Sequence, residues 1–247
     1  MSFLSNLKTD GTIKEQGDSL GGGFVLDSGV YDMVVDMAYI NLSAGGAYGL
    51  VCVFKSAEGK TLKQTFWMTG GTAKGQLNYY VDKDGNKQYL PGFSQANALA
   101  LLTVGKEIAE CEPEKKMVKA YNPDLKKEVP TEKDVLTEMI GQPIKLGVIK
   151  QIVDKTTKAP DGTYQPTGET REENDIDKIF HAETGCTVTE LRNGQTEAGF
   201  LPKWEEKWKG EVKNRAKGVK DAGKPGVPGT SATTSAPKKS LFGNAAA

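Results

Sequence analysis

From Gly29 onward, apolar residues recur at a period of two, the spacing of a strand rather than a helix. Tyr31, Met33, Val35, Met37 and Tyr39 alternate with Val30, Asp32, Val34, Asp36 and Ala38. Both sets are mostly apolar, so much of this strand is expected to be buried. A second strand, Tyr48 to Lys55, follows the turn signal Ser43-Ala44-Gly45-Gly46, and Glu58-Gly59 sets up a hairpin into Thr61 to Met68. These three form an antiparallel meander. Asp84-Gly85 marks a further hairpin that joins Gln76 to Val81 with Lys87 to Leu90.

Helix signals come later in the chain. Ser94 is placed to N-cap a helix running to about Ile108, with Ala98, Leu101, Leu102 and Ile108 as its buried stripe. Thr131 opens a second, short helix (EKDVLTEMI) that Gly141 and Pro143 close. Ile144, Leu146 and Val148 then alternate with Lys145 and Gly147, and Ile149, Ile152 and Val153 continue one long strand. A final strand is expected around Asp175 to Ala182. The fold class is mainly β (α+β): an OB-fold-like Greek-key barrel with inserted helices and a disordered C-terminal tail. Periodicity alone does not separate such a barrel from a sandwich. The expected divisions are a flexible leader (1–28), an OB-fold-like nucleic-acid-binding domain (29–200), a basic Trp-containing helix (201–220) and a disordered tail (221–247).

Composition narrows the function. Of 247 residues, 37% are hydrophobic and 29 are Gly, as in soluble globular chains and unlike collagen or a disordered protein. The N-terminus, Met1-Ser2-Phe3-Leu4-Ser5-Asn6-Leu7-Lys8, lacks the layout of a signal peptide, and no apolar run approaches membrane-spanning length. A cytoplasmic protein is expected. Cys52, Cys111 and Cys186 are odd in number and far apart, and His181 is the only histidine. Zinc knuckles and disulfide frameworks therefore lack their parts, and nucleophile-histidine chemistry is left with a single possible base. No enzyme activity, metal or cofactor is expected.

Charge is unevenly spread. The 32 basic and 32 acidic residues cancel, yet residues 201–247 hold ten basic and four acidic ones, leaving 1–200 at minus six. After Lys220 the chain reads AGKPGVPGTSATTSAPKKSLFGNAAA following Asp221, too poor in apolar residues to offset ordering entropy.

Several motifs suggest chemistry. Gly17-Asp18-Ser19-Leu20 spells the GDSL hydrolase signature, but no apolar strand precedes it, and Asp177 and His181 are one residue too far apart for its Asp-x-x-His. A loop is the plainer reading. Gly70-Gly71-Thr72-Ala73-Lys74-Gly75 suggests a phosphate-touching turn, although Gln76 follows where a Walker A loop needs lysine. On the strand Thr61 to Met68, Thr61, Lys63, Thr65 and Trp67 share one face, where Trp67 can stack a base and Lys63 neutralise a phosphate; packing of Trp67 under a helix suits the pattern equally. Tyr79, Tyr80, Tyr89 and Phe93 are interleaved with Lys74, Lys83 and Lys87, the composition of a single-strand channel, with one of the adjacent tyrosines expected in the core. Glu169, Glu172, Glu173, Asp175 and Asp177 match no calcium loop and read as a solvated loop before a strand. His181 reads as a satisfied strand histidine and Cys52 as a buried hydrophobe. Leu201, Trp204 and Trp208 form an apolar helical stripe, for docking or for nucleic-acid or membrane-surface contact.

The segments SFLSNLKTD, SGVYDMVVDMAYI, GGTAKGQLNYYVDKDGNKQYLPGF, TGETREENDIDKIFHAETG and AGFLPKWEEKWKG, spread from Ser2 to about Gly210, resemble the single-stranded DNA-binding proteins of tailed-bacteriophage replication modules. The resemblance implies an OB-fold that coats and protects single strands, without sequence preference, in phage DNA replication and recombination in the cytoplasm of an infected bacterial host. Lys63, Thr65, Trp67, Lys74, Tyr79, Tyr80, Lys83, Lys87, Tyr89 and Phe93 are the expected nucleic-acid contacts. Such proteins commonly end in an acidic tail; this one is basic, and Leu241 and Phe242 are its candidate patch for docking phage or host replication enzymes. The alternative is a phage structural or host-takeover protein-interaction module, in which the same aromatics form a protein interface; a GDSL-type esterase comes third. Truncation after Lys220 is expected to leave the melting temperature unchanged and to weaken single-strand binding slightly or not at all, because lysines rather than a competing acidic segment are lost. Oligonucleotide titration of the truncated chain checks this, and tighter binding would contradict it.

Overall fold

The computed structural model describes residues 25–122, 125, 127–159 and 163–217. Along the chain, the elements are β1 (Gly29–Leu42), β2 (Tyr48–Lys55), β3 (Thr61–Trp67), β4 (Tyr79–Val81), β5 (Lys87–Tyr89), α1 (Pro91–Val104), β6 (Glu114–Asn122), β7 (Lys127–Val135), β8 (Pro143–Lys158), β9 (Tyr164–Phe180), α2 (Val188–Arg192), α3 (Phe200–Trp208) and β10 (Val212–Asn214). The fold is mainly β, and eight of these strands form one large sheet, antiparallel except where β10 joins β8; β4 and β5 form a separate hairpin. The β1–β2–β3 meander closes as its turn residues predict: Gly46 and Gly59 both take positive φ, +79° and +80°, which glycine adopts without steric cost.

The long β1 is shared between two neighbours. Its first half pairs with β8 and its second with β2, while β7 joins at Tyr39. A bulge at Asp36 makes the change possible. Met33 and Val35 face the main core; beyond the bulge, Ala38 and Ile40 do so, while Met37 and Tyr39 turn to the opposite face. A strict period of two would keep Met33, Val35, Met37 and Tyr39 together. The main core is completed by Leu50, Cys52, Phe54, Leu62 and Phe66 from the meander and by Leu146, Val148, Ile176 and Ile179 from β8 and β9.

The sheet does not close into the expected barrel. The seam lies between β3 and β9, which approach each other without forming a ladder, and α1 packs against both. Side chains satisfy the backbone there: Ile176 N–H donates to Gln64 Oε1 (2.7 Å), and Gln95 Nε2 donates to the Ile176 carbonyl (2.7 Å). A buried edge must find such partners. Helix α1 begins at Pro91, which needs no amide partner, rather than at Ser94. It ends at Val104 and buries Ala96, Leu99, Ala100 and Leu102; Ile108 opens a separate 3-10 turn.

The helix expected over EKDVLTEMI is absent. Thr131 to Val135 belong to β7, and only Thr137–Met139 make a single 3-10 turn. Pairing with the unforeseen β6 overrides local helix preference, and alternate β7 residues (Val129, Thr131, Lys133, Val135) are the less exposed ones. The acidic run is likewise not a loop, because Glu169 to Asp177 lie on β9 opposite β8. His181 sits just past β9 in a turn, its Nδ1 3.2 Å from Thr184 Oγ1.

The basic segment helix is nine residues long and then yields to β10. Its stripe docks on the sheet. Trp204 is 3% exposed, lies edge-on to Phe180 and donates from Nε1 to Asp177 Oδ2 (2.8 Å). Gly147 makes room, since a Cβ there would meet the Trp204 ring at 3.0 Å. Residues 25–28 also belong to the fold: Asn174 bonds both the amide and the carbonyl of buried Leu26, each at 2.8 Å. No helix among the described residues is long and apolar enough to cross a membrane.

Asp175 lies on the β9 side of the seam, where burial first, and the neighbouring Asp177, hold its carboxyl above the usual range against the pull of Arg215 and Lys213. A carboxyl raised in the folded state costs stability as pH climbs from the ordinary carboxylate pKa through the folded value, and costs nothing below both. Asp175→Asn should therefore raise the melting temperature at neutral pH, and the gain should vanish on acidification. Thermal melts of both proteins from acid to neutral pH test this; a gain independent of pH would exclude the titration as its cause.

Candidate nucleic-acid interface

Strand alternation on β3 buries Leu62 and Phe66 in the core and leaves Thr61, Lys63 and Trp67 exposed, with Thr65 partly so. Gly49 of β2 pairs with Trp67. A Cβ on Gly49 would meet both the Trp67 ring and Thr65 Cγ2 at 2.8 Å, so the indole lies against the sheet at a spot that only glycine leaves open. The ring remains 43% exposed. Of the two readings the sequence left open for Trp67, packing under a helix is excluded. Its backbone is pinned instead: a Cβ on Gly92 in the first turn of α1 would meet the Trp67 carbonyl at 2.2 Å.

Beside Trp67 opens a cavity of about 420 Å³ between the β3 edge, the start of α1 and the β4–β5 hairpin. Thr65, Trp67, Lys74, Tyr79 and Tyr80 all line it. Neither tyrosine is in the core, contrary to the expectation for one of them: Tyr79 is partly exposed and Tyr80 exposed. The hairpin is too short to bury either face. It is shaped by Asp82, whose carboxylate accepts from the Asn86 and Asp84 amides; these bonds, Asn86 first, hold its pKa below the usual range.

The remaining expected contacts are distributed around this cavity. Lys87 Nζ sits 4.8 Å from the Tyr79 ring centre, a cation held on an aromatic face at the hairpin's cavity end. Lys83 is exposed at the hairpin tip. Tyr89 and Phe93 lie ring against ring, tilted by 38° with centroids 5.0 Å apart, and line a different cavity of about 720 Å³ bounded by α1, the end of β9 and α2. Lys63 lies at the far end of β3, 3.9 Å from Glu128 of β7. Leu241 and Phe242 lie outside the described residues, as does the motif at 17–20.

The glycine-rich loop 70–75 is not an open amide cradle. The amides of Gly70, Thr72, Lys74, Gly75 and Gln76 already donate to backbone carbonyls, Thr72 to Gly45 of the β1–β2 turn. Gly71 is required there, because a Cβ would meet the Gly45 carbonyl at 2.5 Å. What the loop offers a ligand is the Lys74 side chain.

Glu190, buried beside the larger cavity, would be raised by burial, but bonds from the Thr187, Phe200 and Gly199 amides outweigh that and lower its pKa, tying the α2 cap to the start of α3. Burial pushes the Cys111 thiol up to about 11 and that of Cys52 higher. No group of three or more His, Cys, Asp or Glu among the described residues is arranged to hold a metal ion. No protein-family model matches the chain, and a search of curated proteins returns no significant match.

Sequence reasoning missed Gly49, which seats the Trp67 ring, and Gly92 and Gln95, which line the cavity. Only cross-strand register reveals the first, and only the docking of α1 reveals the others. Gly49→Val should displace the Trp67 ring, shift its fluorescence emission towards that of a solvated indole and destabilise the fold by about 1–3 kcal/mol, the usual cost of overpacking. Emission spectra and urea unfolding measure both effects; an unshifted spectrum would mean that the ring does not rest on Gly49.

Proposed function

We propose that this chain is a sequence-independent single-stranded DNA-binding protein, and that it makes or breaks no bond. The observation that carries the reading is Trp67: a large aromatic ring braced from behind by Gly49, open in front, and set at a cavity with two further tyrosines and Lys74. Unpaired bases stack on exposed rings whatever their identity, while lysines neutralise the phosphates between them. Lys83 and Lys87 extend the cationic side of the hairpin. The frame supports the reading as well. A meander whose long first strand is shared between two neighbours, with a helix packed at the seam, is compatible with an OB-type arrangement left open. The resemblance to phage single-strand binders supports a role in phage DNA replication and recombination in the cytoplasm of an infected cell.

Trp67 makes the reading directly testable, since Trp204 is buried and Trp208 is packed beside α3's docking cluster. Poly-dT should quench the fluorescence of the chain, duplex DNA should bind less well, and affinity should fall with salt at a log-log slope of about 0.7 per phosphate neutralised. Trp67→Ala should lose both the quench and about 1–3 kcal/mol of binding, while Trp67→Phe should keep most of the affinity. Equal binding of duplex and single strands at every salt concentration, or unaltered affinity in Trp67→Ala, would overturn the stacking contact.

A further inference from the structure

The register of the sheet sets a row of residues across it. Trp67 of β3 pairs with Gly49 of β2, and Gly49 with Asn41 of β1. The row continues into β7, where Lys133 Nζ donates to Asn41 Oδ1 (2.8 Å), and into β6, where Lys116 is the cross-strand partner of Lys133. With adjacent strands roughly 4.8 Å apart, about 14 Å separates β7 from β3 along this line. Two lysines directly opposite each other on a hairpin repel, an arrangement that favours an anion between or beside them.

The charges of the β6–β7 hairpin are sorted by face. Val118 and Val135 pack against Tyr39 and Val51 on the sheet, which defines the inner face. By alternation, Lys116, Lys127 and Lys133 share that face with Glu114 as its acid, while Glu128, Glu132 and Asp134 alternate with them, accompanied by Lys115 and Lys119. Glu114 lies 3.1 Å from Lys116, and both are exposed, so a phosphate can compete for this lysine. Lys133 makes no ion pair among the described residues. Glu128 reaches Lys63, which makes Lys63 the weaker phosphate contact.

We propose that Lys133 and Lys116 form a second phosphate subsite for single-stranded DNA, so that a bound strand runs across β3, β2 and β1 from the Trp67 cavity to the inner face of the β6–β7 hairpin. The inference rests on the single-strand reading and adds the path of the strand. The hairpin then contributes to affinity only when the ligand is long enough to reach from Trp67 to Lys133.

A ladder of oligo-dT lengths, read by Trp67 quenching, tests this with three proteins. In wild type, affinity should step up once the oligonucleotide exceeds the shortest length that quenches. The double variant Lys116→Gln with Lys133→Gln keeps an N–H donor at position 133 for Asn41. It should retain quenching by the shortest oligonucleotide, lose the step, and lower the salt slope for long ones by about 1.4, two phosphates at about 0.7 each. Lys115→Gln with Lys119→Gln, equal in charge but on the outer face, should retain the step. The proposal is overturned if the inner-face variant keeps the step or if the outer-face variant loses it equally. Wild type that binds no oligonucleotide at any length would remove the single-strand reading and this subsite with it.

Discussion

Everything about the candidate site follows from how the seam between β3 and β9 is filled. Two strand edges buried side by side would normally satisfy their amides and carbonyls by pairing. Here the two edges meet without a ladder, α1 packs against both, and glutamine side chains bond the β9 backbone instead: Gln64 accepts from the Ile176 amide and Gln95 donates to the Ile176 carbonyl. Because α1 packs at the seam, its first turn presses Gly92 against the backbone of Trp67 and its approach carries the β4–β5 hairpin over the strand edge. The cavity is what remains between them.

The same local device serves two ends. Trp67 lies against Gly49 and Trp204 against Gly147, each indole taking the volume that a Cβ would occupy. What differs is the second side of the ring. Trp204 belongs to a helix whose Leu201 and Trp208 complete an apolar cluster with Phe180 and Ile149, and its N–H is satisfied by Asp177. Burial closes that site. Trp67 has no such cover and is left half in water beside the cavity. Asp177 and Glu190, the two carboxylates that would attract attention in a search for catalysis, are both engaged in holding α3 in place.

Much of the β framework was legible because its signals are local. The meander, the Asp84-Gly85 hairpin and the long strand from Pro143 all combine alternation with a turn residue of special φ. The failures are those of non-local information. The bulge at Asp36 inverts the facing of Met37 and Tyr39, which no period count contains. Thr131 to Val135 carry a helix-start signal and also alternate; β6, which settles the choice by pairing, was not recognised because EKKMVKAYN is polar and exposed on most positions. Closure into a barrel was inferred from element order, whereas the seam depends on where α1 docks. At the site, residue types were legible, but their grouping was not. Trp67, Lys74, Tyr79 and Tyr80 meet at one cavity, Tyr89 and Phe93 face another, and Lys63 is drawn towards Glu128.

Net charge is a poor guide to how such a chain meets a polyanion. Basic and acidic side chains nearly balance among the described residues, and many of the acids are placed where cations hold them: Glu169 by Lys155, Glu172 by Lys150, Glu173 by Arg171, Glu132 by Lys115. Exposed pairs of this kind contribute little to stability, but they mute the long-range repulsion that a run of carboxylates on β9 would exert. The lysines around the cavity are differently situated. Lys74 and Lys83 enter no ion pair among the described residues, Lys87 rests on an aromatic ring, and Lys133 is held by a neutral amide. A polyanion approaching the cavity would therefore meet cations that no carboxylate among the described residues neutralises, while the charge of β9 is internally compensated. Orientation of the proposed contact then comes from which charges are left unpaired, a property of the fold that neither composition nor the order of charges along the chain displays.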